Sequence, residues 1–346
     1  MTKIVYLVAS HTNPEQVVRL VKALKTGMCS SIVIIHHDYS KSFLDPKAFE
    51  GLSDVLIIDN YVPVEWGNFS MVRMKLHILE LLTHLEFDWI VFLSGQDYPI
   101  QPLTQIEDFL ETTSYDGFMS GVPIENGIPC GPVECAKLNS TNQYCSDCMA
   151  RYYYRYYETP RQLDWDNLPK RLRQAFNRLQ KYLVKAQALI YIRSFPFAKD
   201  KPKKMIGFRS LWKPFPADFK FYKGSQWFTL NRACIHYIHQ YVQSHPQFVK
   251  YYERTLFSEE SFFQTILLNQ TTLKILNDNK RLIRWPNAKS SSPDILKKQD
   301  FDYLIASDHH FARKFDINID GEILNMLDEH VLSGSKSDKV PDSCVF

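Results

Sequence analysis

The sequence predicts an α/β fold with a central, mainly parallel sheet and a helical insertion. Three observations carry that expectation. Apolar strands alternate with single helical patterns over residues 1–122, and strands joined in this way pair in parallel through right-handed crossovers. The run Ile90-Val91-Phe92-Leu93 is apolar on both faces, as a strand covered from both sides must be. From about Ile124 to Pro216 strand signals thin out, and they return at Phe221.

Taken in order, residues 4–9 read as a strand. Asn13-Pro14 supplies an N-cap and first-turn pair for a helix whose stripe is Val17, Val18, Val21 and Leu24. Residues 31–37 and 54–58 are the next strands, and Ser70 opens a helix carrying Met71, Leu76, Leu79 and Leu82. The strand at 89–93 stops at Ser94-Gly95-Gln96-Asp97, and Pro99 bars further ladder pairing. The middle holds the run Arg151-Tyr152-Tyr153-Tyr154-Arg155-Tyr156-Tyr157 and a helical segment near 168–190. A basic-aromatic stretch over 195–216 follows, with Lys199, Lys201, Lys203, Lys204, Phe208, Arg209 and Trp212; it suits an acceptor groove or an anionic membrane surface. A strand at 221–230 comes next, then Asn231 as N-cap of a helix over 232–242. Ser258 caps a helix over 259–268 that turns Phe262, Phe263, Ile266 and Leu267 to the core. A last strand is expected at 303–306, and the tail over 331–346 reads as disordered.

Composition narrows the function. With 346 residues and 45% hydrophobic content, the chain can bury a large core. A net charge of +3 is too small for a nucleic-acid footprint. No apolar run approaches the ~20 residues a membrane-spanning helix needs. The chain enters a strand at Lys3 with no cationic leader, so a cytosolic location is expected. Seven cysteines, an odd number, fit thiols better than a disulfide framework. Cys130, Cys135, Cys145 and Cys148 cluster, and their Cys-x-x-Cys pair could join the other two around a structural zinc ion. The first pair is spaced more widely than a zinc ribbon prefers, and reduced thiols are the expectation.

Open α/β sheets bind ligands at the carboxyl ends of their parallel strands. Sugar transferases that use a metal place two aspartates there to hold it against a diphosphate; here Asp97 stands alone. Positive side chains would have to replace the metal, and Arg284, Arg313 and Lys314 are candidates. Glu259 and Glu260 fall in the first turn of an expected helix, whose dipole favours an ionised carboxylate, as a general base requires. Gly224-Ser225-Gln226-Trp227 breaks a strand with a glycine, for close backbone approach, before a ring on which a sugar could stack.

The order of these blocks resembles the core-2/I-branching β-1,6-N-acetylglucosaminyltransferase and protein xylosyltransferase family, glycosyltransferase family 14. Residues 4–11 resemble its opening strand, Ile35-His36-His37-Asp38 its Ile-His-Val-Asp block, and Glu65-Trp66-Gly67-Asn68-Phe69-Ser70 its Trp-Gly segment. Leu93-Ser94-Gly95-Gln96-Asp97-Tyr98-Pro99, Lys223–Phe228, Glu260-Ser261-Phe262-Phe263 and Phe311-Ala312-Arg313-Lys314-Phe315-Asp316 match further blocks.

The resemblance implies a GT-A fold, a UDP-sugar donor, inversion at the anomeric carbon and no catalytic divalent metal or other cofactor. It places Asp38 on the uracil, Glu260 as the base and Lys314 on the diphosphate, with Arg284 as a second diphosphate contact. Val8, His11, Asp97 and Arg313 join the donor side; Trp66, Gly224, Ser225, Gln226, Trp227 and Glu259 face the acceptor or sugar. One domain over 1–330 is expected: a nucleotide half to 122, the insertion over 123–216, and an acceptor and catalytic half over 217–330. N-acetylglucosamine is the expected donor sugar; xylose, or an inactive sugar- or nucleotide-binding relative, remains an alternative. The cysteine loop and the missing anchor depart from the family pattern. They suggest a bacterial, cytosolic enzyme acting on a glycan; a lipid-linked acceptor, peripheral contact to the inner face of the membrane and no nucleic-acid partner are the accompanying expectations.

Overall fold

A computed structural model describes residues 2–26, 31–124, 150–158, 169–185, 189–195, 203–211, 216, 218–287, 290 and 292–333. The first half runs β1 (Ile4–Ser10), α1 (Pro14–Lys25), β2 (Ile32–His37), β3 (Val55–Ile57), α2 (Ser70–Leu82), β4 (Trp89–Ser94), β5 (Asp97–Pro99), α3 (Leu103–Thr112) and β6 (Gly117–Ile124). Next come β7 (Tyr154–Glu158), α4 (Lys170–Lys185), β8 (Ile190–Phe195) and β9 (Lys203–Arg209). The last part holds β10 (Phe221–Asn231), α5 (Arg232–Ser244), α6 (Pro246–Tyr252), α7 (Phe262–Leu267), β11 (Ile275–Leu276), β12 (Arg281–Ile283), α8 (Phe301–Ile305), β13 (Phe311–Arg313) and α9 (Glu322–Ser333).

The central sheet has the order β11-β6-β10-β4-β1-β2-β3. β4, β1, β2 and β3 pair in parallel, β11 is parallel to β6, and only β10 runs against its two neighbours. The expected mainly parallel sheet is therefore present, and its apolar strands have the expected cause. In β1, Val5 and Leu7 enter one buried cluster while Ile4, Tyr6 and Val8 enter the other. β4 repeats this, with Ile90 and Phe92 on one side and Trp89, Val91 and Leu93 on the other. Helices α2, α5, α6 and α7 cover the first face, and α1, α3, α8 and α9 the second.

Several local expectations are corrected. The insertion is not simply helical: β7, β9 and β8 form an antiparallel sheet beside α4. Its strands interleave tyrosine, isoleucine and phenylalanine with arginine and lysine, so charge masked their strand propensity. Pro99 does not end pairing, because it takes an edge position in β5, opposite Phe311 of β13. Residues 301–305 are a helical turn rather than a strand, with Leu304 buried and Tyr303 exposed. The helix expected over 259–268 divides into a 3-10 turn, Ser258–Glu260, and α7. Asn231 caps α5 through the Cys234 N–H at 3.0 Å as expected, but Asn13 adopts φ 49° and donates from its amide to Asp316 at 3.1 Å instead of capping α1.

Gln16, fully buried on α1, joins distant segments. Its amide donates to the Gly95 carbonyl at 2.8 Å and the Phe315 carbonyl at 3.1 Å, and its oxygen accepts the Ile317 N–H at 2.8 Å.

Candidate active site

The parallel strands end in a polar rim. The Asp38 N–H closes onto the Ser10 carbonyl at 2.8 Å. One Asp38 carboxylate oxygen accepts from the Ser40 hydroxyl at 2.6 Å and N–H at 3.1 Å, and the other accepts the Val64 N–H at 3.0 Å. Burial alone would raise this carboxyl, but those hydrogen bonds hold it below its ordinary range. Asp38 thus fixes the 59–64 loop over the end of β2. Val8 is fully buried between Ile35 and Leu93, where it shapes the floor, and His11 is exposed on the loop after β1.

A second group forms where β5 meets β13 and places Asp97 opposite Arg313. Asp97 is fully buried, with Arg313 Nε at 3.3 Å and Arg281 Nη1 at 3.8 Å from one oxygen; the other accepts the Ser94 N–H. Arg281 also donates to the Phe92 carbonyl at 2.8 Å. Burial lowers both arginines, Arg281 to about 10, and Asp97 opposes that shift. Both guanidiniums lie over Trp227, at 4.5 Å for Arg313 and 5.3 Å for Arg281. Trp227 itself is 3% exposed and stacked on Phe92 at 5.3 Å. A sugar cannot stack on a ring so enclosed, and Asp97 is a buried counter-charge rather than a surface contact. Those two expectations are corrected.

The remaining expected cations divide. Lys314 stands half-buried next to Arg313 and donates to the Ser292 hydroxyl at 2.7 Å. Burial and the Arg313 charge lower its ammonium. Arg284 is bound to Asp300 at 2.5 and 3.0 Å and to Asp294 at 3.0 Å, so its charge is already answered by two carboxylates.

The third group surrounds the 258–260 turn, which packs on β10 and the start of α2. Phe257 enters it at φ 51°, its N–H on the Gly67 carbonyl at 2.8 Å and its ring 5.0 Å from Trp66, which is 43% exposed. Arg151 lies over the Phe257 ring at 4.1 Å and donates to the Glu260 carboxylate at 2.7 Å. Glu260 stays partly exposed. Glu259 is turned the other way, 2% exposed, with one carboxylate oxygen lacking a hydrogen bond. Burial, aided by Glu260, pushes it up to about 7.

Lys75 is the residue the sequence reading missed here. It is 1% exposed, its ammonium 3.9 Å from the centre of Phe92 and donating to the Gln226 carbonyl at 2.8 Å. Burial pushes it down to about 7 against the attraction of Glu259. The buried stripe Val72, Lys75, Leu79 and Leu82 has helical spacing, which was the available signal. Arg281 was missed as well, since a cation at the start of a three-residue strand carries no periodicity.

β10 connects the last two groups. Ser225 accepts from Gln264 through its carbonyl, the Gln226 carbonyl holds Lys75, and the neighbouring Trp227 carries the two arginines. Gly224 serves the sheet: an added Cβ would stand 1.8 Å from the Ser120 carbonyl oxygen of β6. Close approach is indeed its purpose, but to β6 within the fold. Cys130, Cys135, Cys145 and Cys148 lie outside the described residues, as do Lys199, Lys201 and Trp212.

Fold and site together define an α/β protein with an acidic turn and a cationic rim flanking one strand of a mainly parallel sheet. The family model described as Core-2/I-Branching enzyme matches residues 4–125 and 141–304, and the chain belongs to that family. It is 24% identical to human Xylosyltransferase 2 over 355 residues, covering 95% of this chain and 34% of that protein. It is 32% identical to Beta-glucuronosyltransferase GlcAT14B of Arabidopsis thaliana over 120 residues, 34% of this chain and 27% of the relative. The chain thus spans about a third or less of the length of these relatives. A crystal structure of the galactosyltransferase LgtC with donor and acceptor sugar analogues aligns over 98% of both chains at 7% identity and a TM-score of 0.34, a likeness too low to carry argument.

Proposed function

We propose that this chain is an inverting glycosyltransferase that moves a sugar from a UDP-sugar to a glycan hydroxyl without a catalytic metal. The observation that carries this reading is Glu260, a partly exposed carboxylate held by Arg151, whose guanidinium lies over the Phe257 ring that also meets the exposed Trp66. Glu260 takes the proton from an acceptor hydroxyl, whose oxygen attacks the anomeric carbon. The bond from that carbon to the diphosphate oxygen breaks, and UDP leaves from the opposite face with the electron pair, so α becomes β. Lys314 supplies positive charge to the departing diphosphate. The metal-free part is supported by Asp97, which is enclosed by Arg281 and Arg313 and cannot reach a diphosphate-bound ion. N-acetylglucosamine is the proposed donor sugar, in keeping with a metal-free site. The alignment to Xylosyltransferase 2 over nearly the whole chain favours xylose as the second reading.

The test is UDP release and product formation with UDP-GlcNAc and UDP-xylose across a glycan acceptor panel. Glu260→Gln is expected to lower turnover by about 10²–10⁴ while UDP affinity by calorimetry holds. Wild-type turnover in that variant removes Glu260 as the base. Activity lost to EDTA and restored by Mn²⁺ overturns the metal-free part.

A further inference from the structure

The insertion concentrates exposed apolar surface. Among the large apolar side chains left exposed in the described residues, half belong to residues 157–211, including Leu172, Leu179, Tyr182, Ile190, Phe208 and Leu211. Three of these lie on α4, where Leu172, Leu179 and Tyr182 are 57%, 52% and 68% exposed. Their spacing places them on one stripe of the helix. The same 16 residues, Lys-Arg-Leu-Arg-Gln-Ala-Phe-Asn-Arg-Leu-Gln-Lys-Tyr-Leu-Val-Lys, carry six basic side chains and no acid. That exceeds the net charge of +3 of the entire chain. On the adjoining sheet Ile190 pairs across from Phe208, whose ring meets Tyr157 at 5.9 Å, so the apolar surface continues beyond the helix.

We infer that α4 docks on an anionic lipid bilayer, its apolar stripe entering the headgroup boundary and Arg171 and Arg178, which flank that stripe, facing lipid phosphates. Charge selects this occupant: a helix with six cations and no acid answers a uniformly negative surface. The leucine and tyrosine stripe separates a bilayer from a nucleic acid, which offers phosphates but no apolar layer to receive it. This surface is independent of Glu260 and Lys314, so it can fail without touching the proposed transfer, and the reverse holds too.

Flotation of the full chain with phosphatidylcholine–phosphatidylglycerol vesicles, against phosphatidylcholine alone, tests it. Binding is expected only to the anionic vesicles and is expected to weaken as salt rises. Near an anionic surface each cation contributes about fivefold in affinity, so Arg171→Gln with Arg178→Gln should weaken partitioning ~30-fold. Leu172→Ser with Leu179→Ser should abolish the part that survives high salt. Both pairs lie on exposed positions, and an unchanged melting temperature establishes that each variant folds; if one does not, the salt series on the parent chain decides. Absence of binding, equal binding to neutral vesicles, or a charge-dependent preference for duplex oligonucleotide over vesicles overturns the inference.

Discussion

Glu259→Gln separates the two adjacent glutamates by a stability measurement. In the folded chain Glu259 is raised from the ordinary 4.5 to about 7, first by burial and then by the Glu260 charge. At ~1.4 kcal/mol per tenfold change in proton affinity, that rise corresponds to about 3 kcal/mol. Below pH 4.5 folded and unfolded chains both hold the proton, and the residue contributes no pH dependence. Between 4.5 and about 7 only the folded chain holds it, so stability falls as pH rises. Above about 7 the full penalty is present. Glutamine has nothing to ionise, so the variant should match the parent near pH 4 and exceed it by up to about 3 kcal/mol at pH 8. Lys75, lowered to about 7 by burial, is largely neutral at pH 8 and offsets little of that gain there. Urea denaturation of both proteins at intervals across this range gives the difference directly. A difference that does not vary with pH, or a parent more stable than the variant at pH 8, would refute the assignment of a buried, raised carboxyl.

Asp97→Asn leaves Arg281 and Arg313 buried without their shared counter-charge, an expected loss of about 3–5 kcal/mol in urea; a loss below ~1 kcal/mol would contradict the pairing. Gly224→Ala forces β10 away from the Ser120 carbonyl and should cost at least the ~1–3 kcal/mol of an overpacked core, read as a lower denaturation midpoint. Trp227→Ala should cost about 3–5 kcal/mol because its ring is enclosed. Trp66→Ala should stay near ~1 kcal/mol, the scale of its ring pair with Phe257, while raising the acceptor KM; the opposite ranking in thermal melts would reverse the two assignments.

The parallel core was legible because β1 and β4 are apolar on both faces, a pattern few alternatives produce. The cap at Asn231 was legible for a similar reason, since its amide oxygen acts on the backbone three residues away. What escaped depended on contacts distant in sequence. Trp227 reads as a sugar platform until Phe92, Arg281 and Arg313 close around it. Lysine on α2 suggests solvent, yet position 75 falls on the buried stripe and is satisfied by a carbonyl from β10. Short elements such as 301–305 span too little chain for periodicity to distinguish helix from strand. The blocks themselves were visible, whereas the partition of their charges into a buried pair and a rim came only from β5 lying against β13.

The Gln16 amide has a consequence for the order in which the protein becomes complete during synthesis. A side chain made in the first turn of α1 waits for the carbonyl of Phe315 and the N–H of Ile317, 299 and 301 residues later. Until then its amide keeps only the Gly95 carbonyl, its oxygen lacks the Ile317 N–H, and the Gln96 carbonyl in the adjoining turn lacks the Phe315 N–H. A ribosome-bound chain that has formed β1, α1 and β4 therefore still lacks one wall of the rim at the ends of those strands. On the proposed function, nucleotide affinity emerges late and abruptly along translation, with the exit of the segment that carries Lys314.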